Sequence, residues 1–144
     1  MDFLSAKDLR AKIAAAEGEK ASAAAKAKAA ADAEHQAFID RLSKPSGLSD
    51  QQVLEKASHI VQRAVSNGLT QVQVLRFPNH LCSDNGRAID QAEEGWQKTL
   101  TGVPKELWSF YERQLKPRGY HMKYEIIDRP GGMRGDVAVF LSWD

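Results

Sequence analysis

The chain has 144 residues, a length that suits one domain better than two. Twenty Lys and Arg stand against 19 Asp and Glu, and the resulting net charge of +1 lacks the basic surplus of a general nucleic-acid binder. No stretch of apolar residues is long enough to cross a membrane, the mixed-charge opening does not read as a secretory signal, and the single Cys82 excludes an intrachain disulfide. Together these features predict a small cytoplasmic protein with no membrane partner.

Composition shifts near Pro45-Ser46-Gly47. Residues 1–44 hold 15 alanines and only eight larger apolar residues, namely Met1, Phe3, Leu4, Leu9, Ile13, Phe38, Ile39 and Leu42. Residues 45–144 hold five alanines and 33 larger apolar residues, including every Trp and Tyr. Burial stabilises by roughly 25 cal/mol per Å² of apolar surface, so a stretch with no apolar residue larger than alanine between Ile13 and Phe38 cannot supply a core helix. Its Ala, Lys and Glu content nevertheless favours helix, with Gly18 the one weak point. The reading is an Ala/Lys-rich arm over residues 1–44 followed by a compact domain over residues 45–144. Leu9, Ile13, Ala16, Ala23, Ala27, Ala30 and Ala37 approximate a coiled-coil stripe that Lys20 and Glu34 break. Residues 5–42 therefore offer self-association or a protein partner, while a solvated single helix and a partly disordered tail remain open.

The elements of the domain follow in order. Ser49-Asp50-Gln51-Gln52 is a capping box, and behind it Val53, Leu54, Ala57, Ile60, Val61, Ala64 and Val65 share one helical face up to the stop at Asn67-Gly68. Residues 70–77 alternate as a strand ended by Pro78. A polar loop leads to a short helix carrying Ile89, Ala92 or Glu93, and Trp96, limited by Gly95. A second helix is expected from Val103-Pro104, with Leu107, Trp108, Tyr111 and Leu115 inward, ending at Lys116-Pro117-Arg118-Gly119. Tyr120, Met122, Tyr124 and Ile126 define the inner side of one strand; Val137, Val139, Leu141 and Trp143 define that of the next. A turn-rich loop joins them into a hairpin. The predicted fold is α+β and two-layered. A small, mostly antiparallel three-stranded sheet carries helices on one face and follows a long Ala-rich N-terminal helix.

Chemistry-bearing residues are sparse. His80, Cys82 and Asp84 lie in the loop between a strand end and a helix start, where a thiolate would be favoured, a histidine could act as base and an aspartate could orient it. The plain alternative is a small buried cysteine beside an aspartate that caps a helix. His35, His59, His80 and His121 are scattered without metal-ligand spacing, so neither a metal nor a cofactor is expected. The loop Pro130-Gly131-Gly132-Met133-Arg134-Gly135 has glycines and an arginine suited to phosphate, but it precedes a strand and lacks a Gly-Lys-Ser/Thr ending. On the outer sheet face His121, Lys123 and Glu125 neighbour Phe140, a candidate binding surface with too few aromatics for nucleic acid. Two functions result: a non-enzymatic interaction or assembly module, or a small ligand-binding domain or enzyme with its site at residues 80–84.

Overall fold

The structure, a computed structural model, describes residues 5–144; Met1, Phe3 and Leu4 of the arm lie outside the described residues. The chain divides into two units, Met1–Phe38 and Ile39–Asp144. The division falls before the change of composition at Pro45 because Ile39 and Leu42 are buried.

Helix α1 spans Ala6–Leu42, about 55 Å at ~1.5 Å per residue. Ser5 starts it: its hydroxyl accepts the Asp8 amide at 3.1 Å and its carbonyl accepts the Leu9 amide at 3.0 Å. Every residue from 5 to 38 is exposed, including Leu9 and Ile13. High alanine content sustains helix here without any buried face.

The second unit begins with the last turn of α1. Helix α2 (Asp50–Ser66) opens on the expected capping box, with both the Ser49 hydroxyl and the Gln52 side chain engaged. It closes on Gly68, whose φ of +74° lets the Leu69 amide donate to the Ala64 carbonyl at 3.0 Å. Strands β1 (Gln71–Phe77), β2 (His121–Ile126) and β3 (Val137–Ser142) form an antiparallel sheet in the order β1-β3-β2. The β2–β3 hairpin thus puts β3 in the centre. A bulge between Gln73 and Leu75 shifts the β1 register.

Val137, Val139 and Leu141 of β3 point into the core and are at most 1% exposed. Helices lie against this face. Leu42, Leu81, Ile89 and Leu100 join Val137 and Val139 in one cluster, while Phe110, Tyr111 and Leu115 join Leu141 in a second. Val53, Leu54 and Val61 of α2 pack on the second cluster. Trp96, Trp108 and Tyr124 meet with ring centroids 5.0–5.8 Å apart, and the Tyr124 hydroxyl donates to the Pro104 carbonyl at 2.8 Å.

Three local expectations need correction. Helix α3 covers only Arg87–Asp90, because Ala92 turns to φ +50° and Gly95 to +82°; Trp96 belongs to a separate single turn. Helix α4 (Gly102–Phe110) starts one residue before Val103. Gly102 is required there: φ is +57°, and a Cβ would collide with the Leu42 carbonyl. The helix continues through a widened turn at Tyr111–Leu115 as it approaches Pro117, which cannot donate a helical hydrogen bond. Finally, Ile60 and Val65 of α2 are 37% and 54% exposed rather than buried. The sheet ends at β1, so among the described residues no further strand lies beneath the flank of α2.

Candidate functional site

The loop after β1 folds as a single turn, Asn79–Leu81, followed by Cys82, which bridges the backbone of Leu100. This bridge carries the thiol into the core, where Cys82 is 1% exposed. Burial pushes its pKa up to about 11; a hydrogen bond with the Thr99 hydroxyl opposes the rise and the Asp84 charge adds to it. The Asp84 carboxylate accepts the Gly86 amide at 3.0 Å and the Ala88 amide at 2.9 Å, fixing the start of α3. His80 is exposed and has no hydrogen-bond or ion-pair partner among the described residues. The three side chains therefore occupy three environments: solvent, core and a helix start. A nucleophile needs an accessible thiolate. Cys82 is a protonated core thiol at neutral pH.

Strand register places the second candidate set on one surface. Gln73, Phe140 and Lys123 form one row across the outer face; Arg76, Ala138 and Glu125 form the next. His121 stands opposite Ser142. Lys123 and Glu125 pair at 2.9 Å, and Arg76 pairs with Asp136 at 2.8 Å. Phe140 is half-buried at the middle of this face. Its charged neighbours largely neutralise one another, as on an ordinary solvated sheet face.

The glycine-rich hairpin loop is tied down by contacts invisible in the sequence. Arg129 and Arg134 both ion-pair with Asp90 of α3, the latter at 3.0 Å. Arg129 is the main reason the Asp90 carboxyl sits below its ordinary range, burial opposing it and Arg134 assisting. The Asn79 amide donates to the Arg134 and Gly135 carbonyls at 2.6 and 3.0 Å. Gly135 is buried where a Cβ would strike Asp128. Asp90 holds both guanidinium groups, which ties the arginines to α3 and leaves one positive charge in excess at this loop.

Models of known protein families, curated proteins and solved structures were compared with the chain, and none matches. Among the described residues no group of three or more His, Cys, Asp or Glu is placed to hold a metal ion, and no helix is long and apolar enough to cross a membrane.

One concavity was missed by the sequence reading. A groove of about 530 Å³ runs between α2 and the start of β1, floored by Ile60, Ala64, Leu69 and Val72 and rimmed by His59, Arg63 and Asn67. Leu69 is 50% exposed within it. The available signal was Ile60, which lies on the apolar stripe of α2 but which no strand covers among the described residues.

Proposed function

We propose that the chain is a non-enzymatic interaction or assembly module in which α1 pairs with α1 of a second copy. The observation that carries this reading is a helix exposed at every residue from 5 to 38. Leu9, Ile13, Ala16, Ala23, Ala27, Ala30 and Ala37 approximate one stripe with a period of about 3.5 residues, interrupted by Lys20 and Glu34. Both interruptions lie seven residues from Ala27. In an antiparallel pair with its two-fold axis at Ala27, Lys20 of each copy meets Glu34 of the other. An in-register parallel pair instead opposes like charges, which is unfavourable. Alanine at the seam lets the two backbones approach closely.

The alternative, a ligand or catalytic site at residues 80–84, rests on a thiol that is buried and protonated. A reducing compartment such as the cytoplasm suits a chain whose single cysteine is a free thiol.

Sedimentation velocity of the full chain tests the pairing. A concentration-dependent dimer is expected. Lys20→Glu should weaken it, and adding Glu34→Lys to the same chain should restore it, because the antiparallel pairs are re-formed with their signs exchanged. A monomer at millimolar concentration, or no rescue by the double change, overturns the proposal.

A further inference from the structure

Strand β1 is an edge of the sheet. Among the described residues nothing hydrogen-bonds to the backbone on its outer side, so the amides and carbonyls there await a partner. The bulge between Gln73 and Leu75 breaks the regular spacing further along, which leaves the first part of the strand as the template for pairing. That part adjoins the groove under α2, where Val72 and Leu69 meet Ile60 and Ala64. The same wall carries Arg63 and His59, neither of whose side chains has an ion-pair or hydrogen-bond partner among the described residues. Lys56 lies one helical turn before Ile60 and Glu55 one turn before His59, so these two charges outside the groove offset each other and Arg63 is the cation that lines it. Free backbone, an apolar floor and the Arg63 guanidinium thus occupy one place.

We propose that this groove binds a short, extended, acidic peptide that adds as a strand beside Leu69 to Gln73. The unpaired edge demands an extended backbone. An apolar side chain of the peptide fills the space over Ile60 and Val72, and a carboxylate two residues along, on the same side of the strand, meets Arg63. Side chains alternate along a strand, so an apolar residue and an acidic residue two positions apart both face α2, one over the floor and the other at the rim. This surface belongs wholly to the second unit and does not depend on pairing of α1.

The test uses the full chain and a fluorescein-labelled Val-Ser-Glu-Ser-Val-Ser-Glu-Ser peptide, which sets Val and Glu on one side of an extended strand, with a Val-Ser-Lys-Ser-Val-Ser-Lys-Ser peptide, an N-methylated acidic peptide and an oligothymidylate as comparisons. Fluorescence anisotropy should show the acidic peptide binding at least about tenfold more tightly than the basic one, the scale of one charge-assisted contact. N-methylation, which removes the backbone donors, should abolish binding. Arg63→Glu should erase the acidic preference, Ile60→Ser should weaken binding of the acidic peptide, and Lys123→Glu on the far sheet face should change nothing. Amide shifts in the protein should centre on Leu69 to Gln73. Equal binding of the two charged peptides, undiminished binding of the N-methylated one, tighter binding of the oligothymidylate, or shifts centred elsewhere overturns the proposal. No binding of the acidic peptide at millimolar concentration does so too.

Discussion

Helices α1 and α2 are both capped by serine and both rich in charge, yet only α2 carries Val and Leu at the spacing needed to rest on a sheet. α1 reaches 37 residues and buries just Ile39 and Leu42, the two large apolar residues of its final turn. The contrast separates two ways of making a helix. One relies on intrinsic propensity and needs no neighbour; the other relies on tertiary burial and would be marginal alone. Stability should accordingly reside in the second unit, and the exposed part of α1 should contribute little to it.

The contrast would be broken by a core that tolerates truncation. Phe77 is 1% exposed and packs edge-on to Tyr124 with centroids 6.1 Å apart. Phe77→Ala should cost about 3–5 kcal/mol, measured by denaturant unfolding, whereas truncating an exposed α1 residue such as Ile13 should change the global midpoint little. Equal costs at the two positions would contradict the division.

A smaller effect sharpens the same point through Cys82. Its folded pKa of about 11 is raised above the ordinary thiol value. The associated stability is therefore fully present below the unfolded pKa of about 8.5 and is lost as pH rises through the folded value. Unfolding curves between pH 8 and 11 should show a decline of up to about 3 kcal/mol that is reduced in Cys82→Ala. Alkylation of the native thiol should stay slow at neutral pH. A reactivity midpoint below about pH 7 would return residues 80–84 to consideration as a catalytic site.

Much of the fold was legible because periodicity and turn chemistry agreed. The capping box at Ser49, the stop at Gly68 and the inward Val137, Val139 and Leu141 each combine a local signal with the global pattern. Less legible was anything set by contact between distant residues. Phe110 was not among the expected inward residues of α4 although it is 2% exposed. Asp90 gave no sign of gathering Arg129 and Arg134, since that network depends on α3 meeting the hairpin loop. The groove escaped for a similar reason: an apolar stripe does not reveal how many strands lie beneath it. His80, Cys82 and Asp84 are close in sequence, but one residue of bridge pairing with Leu100 is enough to draw the thiol inward and separate it from solvent.

The central claim, that Ile39–Asp144 holds the folding energy and the exposed length of α1 does not, is tested most directly by cutting the chain within α1. A fragment comprising residues 36–144 keeps Ile39 and Leu42 with one leading turn. Its equilibrium unfolding should be compared with that of the full chain at a protein concentration low enough to suppress association. The account predicts a single cooperative transition with a stability within about 0.5 kcal/mol of the full chain, the scale of ordinary surface changes. A fragment without a cooperative transition, or one weaker by more than about 2 kcal/mol, would contradict it.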